Sequence, residues 1–186
     1  MNVEKTPLAG LLVVHPKVHP DARGFFFESY NEPRYVAAGI DVQFVQDNHS
    51  SSTQGTLRGL HAQWQRPQAK LLRCIEGSIF DVAVDVRQGS ETYGQWFGIE
   101  LNAVNHRQLF VPAGFLHGFC VTSPVAQVEY KCSDVYVPDD QVSVHWNDPD
   151  IGITWPLKEG LELSAKDQKG RQLKDIPADQ LPSTRA

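Results

Sequence analysis

The chain has 186 residues, a formal charge of −5, 41% apolar and 21% charged residues, a composition typical of a soluble globular domain and unlike that of a disordered or fibrous chain. Its acidic balance disfavours non-specific nucleic-acid binding, yet leaves room for an anionic small ligand wherever arginines cluster. No apolar run approaches the roughly 18 residues of a membrane span, so neither a nucleic-acid partner nor a membrane is expected.

The opening stretch, "MNVEKTPLAGLLVVHPKVHP", carries an acid before a short apolar patch and a proline after it, which does not read as a secretory signal. "NEPRYVAAG" (31–39) reads as one short helix, with Asn31 as cap, Pro33 in the first turn and Gly39 ending it. "RGLHAQ" (58–63) is strand-like, and "KLLRCIEG" follows and ends on the turn residue Gly77. In "SIFDVAVDVR" (78–87), Phe80, Val82, Val84 and Val86 alternate with Ile79, Asp81, Ala83 and Asp85. This predicts a strand with one face in a core and a partly polar face opposite. Further strands are predicted within 93–102, 106–114, 117–123 and 126–137, each bounded by Gly, Pro, Asn or Ser. The last quarter carries Pro149, Pro156, Pro177 and Pro182 with little periodicity. Turns and short helices are expected there, and from about residue 157 the segment is expected to pack on the strands. The expectation is one all-β domain over 1–186, an antiparallel sandwich or barrel with short peripheral helices. Cys74, Cys120 and Cys132 lack C-x-x-C spacing and sit in apolar runs, as buried thiols of a cytoplasmic protein would.

"VPAGFLHGF" (111–119) contains Pro112, Gly114 and His117 in P-x-G-x-x-H spacing, and is similar to the cupin class of jelly rolls. Many metal-binding cupins add H-x-H on an earlier strand, whereas this chain has His61, Ala62 and Gln63, and Val121 stands where an asparagine often closes the later motif. Those motifs do not assemble a ligand set, so no metal is expected. His117 then reads equally as a hydrogen-bonded barrel histidine or as a group of the site. Strand parity sets Arg58 and His61 on opposite faces unless Gly59 marks a bulge.

Taken in order, "DARGFFFESY", "FVQDNHS", "LRGLHAQ", "GQWFG", "VPAGFLHGF", "YKCSDVY", "WNDPDIGITWP" and "LSAKD" resemble the dTDP-4-dehydrorhamnose 3,5-epimerase family, from Val3 to about Asp175. The resemblance implies a cupin-like jelly roll that inverts C3 and C5 of dTDP-4-dehydro-6-deoxy-D-glucose with no cofactor. It implies His61 as base, Asp167 as the group orienting it, Lys70 beside the reacting ketone and Tyr130 as acid. Taken singly, Lys70 reads as a solvated turn lysine, Asp167 as a surface carboxylate and Tyr130 as a packed strand aromatic. Further positions that match substrate-contacting motifs are Arg23, Phe26, Glu28, Gln46, Asn48, Arg58, His117, Tyr136, Gln141 and Lys166. Tyr136 falls where an aromatic stacks on thymine, and arginine suits a diphosphate through its paired donors. The family is usually a homodimer that exchanges N-terminal strands, and the three phenylalanines at 25–27 suit a covered strand. Ala62, Val135 and Gln141 replace two frequent aromatics and a glutamate, which bears on selectivity. A single-site epimerase of another deoxysugar, a metal-dependent cupin enzyme and a sugar-nucleotide binding module are the rivals.

Overall fold

The computed structural model describes residues 1–182. Thirteen strands build it. β1 (Asn2–Lys5), β2 (Leu12–His15), β5 (Gln46–Thr53), β7 (Lys70–Glu76), β10 (Gln108–Val111) and β12 (Val125–Cys132) form a six-stranded sheet in the order β1-β2-β10-β7-β12-β5. β6 (Leu57–Gln63), β8 (Ser78–Asp85), β9 (Trp96–Asn102), β11 (Phe115–Val121) and β13 (Gln141–Ser143) form a second sheet of five, in the order β13-β6-β11-β8-β9. β3 (His19–Asp21) and β4 (Gly24–Phe26) make a separate hairpin. Every strand ladder is antiparallel, and neighbours within a sheet are mostly not neighbours in sequence. This is the cupin-like jelly roll.

Three apolar layers hold it. Leu72, Cys74, Leu109 and Val111 of the larger sheet meet Ile79, Ala83, Phe115 and Phe119 of the smaller one between the sheets. On the outer side of the larger sheet, Val14, Leu71 and Phe110 are covered by Tyr35 and Ile40. Tyr35 belongs to helix α1 (Glu32–Ala37), where the Asn31 side chain accepts from the backbone N–H of Arg34 at 3.3 Å, as an N-cap should. Pro33 lies in its first turn, as expected.

The valine face of β8 lies in a core, as expected, but that core is on the outer side of the smaller sheet. Val82, Val84 and Val86 do not face the space between the sheets. They lie beneath Ile151, Ile153, Trp155, Leu173 and Ile176 of the C-terminal segment. The alternate residues Ile79 and Ala83 face the other sheet, and Asp81 shares their parity and is fully buried. Both faces of β8 are therefore buried, and its polar side is the interior one. A strand covered on both sides hides more apolar surface than one open to water, and alternation alone does not say which side carries which cover. The segment that does the covering is held by backbone bonds: Leu57 N–H donates to Glu162 O and Glu162 N–H to Gly55 O, each at 2.9 Å.

The β3–β4 hairpin differs as well. Phe25 and Phe26 are 58% and 71% exposed, so within one chain the phenylalanine run does not bury both faces of a strand. All three cysteines are buried free thiols, as expected.

Candidate active site

The bulge at Gly59 decides what the cavity contains. On β11 and β6, His117 pairs with His61 and Phe119 with Arg58, so two residues of β6 oppose one of β11. Gly59 has φ +121°, and a Cβ there would stand 2.6 Å from the Gly118 Cα, so only glycine fits. The extra residue undoes the parity that would separate Arg58 from His61, and both side chains line the same cavity.

That cavity has two joined lobes of about 320 Å³ and 280 Å³, which share His61, Lys70, Tyr130, Tyr136 and Gln141. One lobe adds Gln46, Asn48, Gln63 and Cys132. The other adds Arg58, His117, Lys166 and Asp167. His61 comes from the five-stranded sheet, whereas Lys70 and Tyr130 come from the six-stranded one. The two groups therefore stand on different walls.

His61 Nε2 lies 2.5 Å from Asp167 Oδ1. The other carboxylate oxygen accepts from the Ser164 hydroxyl at 2.8 Å, and the Asp167 N–H donates back to that hydroxyl at 3.1 Å. This reciprocal pairing resembles a capping box and fixes the carboxylate before any ligand arrives. Burial works to raise the Asp167 pKa, but hydrogen bonds from His61 and Ser164 outweigh it and hold the carboxyl below its usual range. An anionic carboxylate on Nε2 selects the tautomer with its proton there and leaves Nδ1 basic.

Burial lowers the Lys70 pKa, opposed by the nearby Cys132 thiol and the Asp81 carboxyl. Burial likewise raises the Tyr130 phenol, with Cys132 adding to it and Arg58 opposing. His117 Nε2 lies 3.0 Å from both oxygens of Asp81, so it is at once a hydrogen-bonded barrel histidine and a cavity wall. Burial raises Asp81, while His117 and Lys70 work against it. Around the rim the polar groups hold one another. Tyr136 donates its hydroxyl to Gln141 Oε1 at 3.0 Å, Gln141 donates to Ser143 Oγ at 3.1 Å, and Gln46 donates to Asn48 Oδ1 at 3.1 Å. Arg58 donates to Ser52 Oγ through Nε at 3.1 Å and a terminal nitrogen at 2.9 Å. Among the described residues, no three His, Cys, Asp or Glu side chains converge as a metal ion would require.

The cavity thus gathers His61, Asp167, Lys70, Tyr130, Gln46, Asn48, Arg58, His117, Tyr136, Gln141 and Lys166. Arg23, Phe26 and Glu28 stand elsewhere. Arg23 pairs with Asp21 at 2.6 Å, and Glu28 with Arg34 at 3.1 Å. Sequence reasoning missed Asp81 and Ser164. For Asp81 the signal was a carboxylate in the middle of a mostly apolar strand; for Ser164 it was the S-x-x-D spacing in "LSAKD".

A family model described as dTDP-4-dehydrorhamnose 3,5-epimerase matches residues 5–175. The chain belongs to the dTDP-4-dehydrorhamnose 3,5-epimerase family. Its similarity to the Methanothermobacter thermautotrophicus dTDP-4-dehydrorhamnose 3,5-epimerase is 47% identity over 175 residues, 93% of this chain and 95% of that one. A Legionella pneumophila dTDP-6-deoxy-D-glucose-3,5-epimerase, solved in complex with dTDP-4-keto-L-rhamnose, superposes with a TM-score of 0.97. It shares 47% identity and covers 100% of this chain and 99% of its own. A 3′-monoepimerase from Streptomyces bikiniensis in complex with dTDP-quinovose has a TM-score of 0.91 at 32% identity, over 97% of this chain and 92% of its own. The epimerase fold thus carries single-carbon chemistry too, in a less similar relative.

Proposed function

We propose that this isomerase inverts C3 and C5 of dTDP-4-dehydro-6-deoxy-D-glucose to give dTDP-4-dehydro-L-rhamnose, as a step towards dTDP-L-rhamnose. The observation that carries this is the 2.5 Å His61–Asp167 pair in one cavity with Lys70 and Tyr130 on the facing sheet. Both carbons flank the C4 ketone, so one set of groups serves both. His61 takes the proton from the carbon, and the Asp167 carboxylate stabilises the imidazolium that forms. The electron pair moves onto the ketone oxygen, where the Lys70 ammonium stabilises the enolate. Tyr130 returns a proton to the opposite face, which inverts the centre, and solvent resets both groups. Electrostatics and general acid–base chemistry supply every step, with no organic cofactor or metal.

Arg58 and Lys166 hold the diphosphate, and Tyr136 stacks on thymine with Gln46, Asn48 and Gln141 around it. Arg23, Phe26 and Glu28 serve the cavity of a second copy in a homodimer with exchanged N-terminal strands. The exposure of Phe25 and Phe26 in the β3–β4 hairpin supports that reading. The whole chain acts as one epimerase domain, with its C-terminal segment carrying Lys166 and Asp167 to the barrel. It works in the cytoplasm, where three free thiols persist, and no helix of the described residues is long and apolar enough to cross a membrane.

Incubating the chelator-treated protein with dTDP-4-dehydro-6-deoxy-D-glucose in deuterated water tests the proposal by NMR. Deuterium at both C3 and C5 is the expected result. Label at one carbon alone selects a single-site epimerase, and label at neither refutes the proposal.

A further inference from the structure

Among the described residues, Ser50 Oγ is the buried side-chain polar atom that has no hydrogen-bond partner. It stands in a row. β5 alternates so that Gln46, Asn48, Ser50 and Ser52 are half-buried while Asp47, His49, Ser51 and Thr53 are exposed. Every other member of the half-buried row is engaged. Gln46 donates to Asn48, Asn48 to the Cys132 sulfur at 3.5 Å, and Ser52 accepts from Arg58. A buried hydroxyl with no partner is destabilising, and folded proteins rarely leave one without a use.

Ser50 lines the lobe that also contains Arg58 and Lys166, and does not line the lobe walled by the Gln46, Gln63 and Gln68 amides. Apart from Lys70, which both lobes share, those two side chains are the lobe's arginine and lysine. An anionic group of the ligand therefore belongs in that lobe, and Ser50 is the next residue inward from Ser52 on the face that anchors Arg58. We propose that Ser50 Oγ is a further ligand-binding group, donating a hydrogen bond to a diphosphate oxygen of the dTDP-sugar beside the Arg58 guanidinium. The inference rests on the proposed function and names one more contact within that same site. The hydroxyl is held ready by the strand, and its lack of a protein partner means that nothing must be broken when the phosphate arrives.

Ser50→Ala separates this role from a structural one, because it removes no bond within the protein. Calorimetric titration with dTDP is expected to show binding roughly tenfold weaker, as fits loss of a bond to a charged acceptor. KM for the sugar nucleotide should rise by a similar factor while kcat falls by less, since the phosphates are held alike in ground and transition states. The melting temperature should stay level or rise. Ser50→Thr, which keeps a hydroxyl, should recover most of the affinity. Unchanged dTDP affinity in Ser50→Ala overturns the inference, and so does a lowered melting temperature with affinity intact. If the parent protein itself neither binds dTDP nor turns over the sugar nucleotide, the epimerase reading fails with it, an outcome visible before any variant is made.

Discussion

Replacing Asp167 with asparagine keeps the size of the side chain and removes its charge. In the native arrangement the carboxylate oxygen is 2.5 Å from His61 Nε2, which places the centres of charge roughly 4 Å apart once the imidazole is protonated. At an effective dielectric of about 20, such a pair is worth about 4 kcal/mol. The His61 side chain keeps 27% exposure and Asp167 5%, so screening trims this to about 3 kcal/mol. That is about a hundredfold in rate, because each ~1.4 kcal/mol is a factor of ten. Loss of tautomer control adds to it, since an asparagine amide can present a donor to Nε2 and so turn the basic nitrogen away. The expected outcome is a fall of at least a hundredfold in deuterium exchange at both C3 and C5, with dTDP affinity within twofold of the parent. A variant that exchanges within threefold of the parent, with its fold intact by circular dichroism, would refute the orienting role. The same contact gives a stability signature. The folded Asp167 pKa lies below its ordinary value, so its contribution is complete above the unfolded pKa near 4 and disappears as pH falls through the folded one. Asp167→Asn should accordingly flatten the acid limb of the denaturation curve.

Tyr130→Phe should slow epimerisation more than exchange, because abstraction by His61 survives while delivery to the opposite face does not; parallel NMR of label and product reads both, and an equal loss in each counts against Tyr130 as acid. Burial lowers Lys70 and raises Tyr130, so the alkaline limb of kcat/KM belongs to Lys70 and should begin below the ordinary lysine value of about 10.4. Between its folded and unfolded values the unfolded chain holds more protons, so the Lys70 contribution to stability rises with pH while activity falls. Lys70→Arg, slower throughout, should show no such limb, and a parent limb at or above about 10.4 speaks against the assignment. Gly59→Ala forces a Cβ to within 2.6 Å of the Gly118 Cα at φ +121°. Strain and overpacking together should lower unfolding free energy by about 3 kcal/mol or more in urea titration, and a change under about 1 kcal/mol would mean that the bulge relaxes freely.

The strands were legible wherever alternation met a clear turn residue, as at Gly77 between β7 and β8. Sidedness was not. The Phe80–Val86 face has a cover, but its covering residues, from Ile151 to Ile176, lie in a segment without periodicity, and no pattern in either segment names the other. Similarly, parity alone separated Arg58 from His61, and only the space available at Gly59 reverses that. The candidate site was read from the order of motifs rather than from any one residue. Lys70 viewed singly is a turn lysine, and it becomes a cavity group because β7 runs beside β12. Asp81, Ser164 and Ser50 escaped notice for a common reason: each matters through a partner, or the want of one, in another strand or loop. Arg23, Phe26 and Glu28 show the converse, since motif order named them and a single chain leaves them outside the cavity.

His61 and Asp167, the proposed base and its orienting carboxylate, are 106 residues apart in the chain. At about 5–20 residues per second of synthesis, His61 leaves the ribosome's catalytic centre roughly 5–20 s before Asp167 does. The strands that pair with the His61 strand, β11 and β13, are made within that interval, and until Asp167 follows them the imidazole lacks its partner on Nε2. On the proposed mechanism a nascent barrel falls short of full activity towards ketosugars by about the hundredfold that the Asp167 contact supplies, and gains it when the covering segment docks.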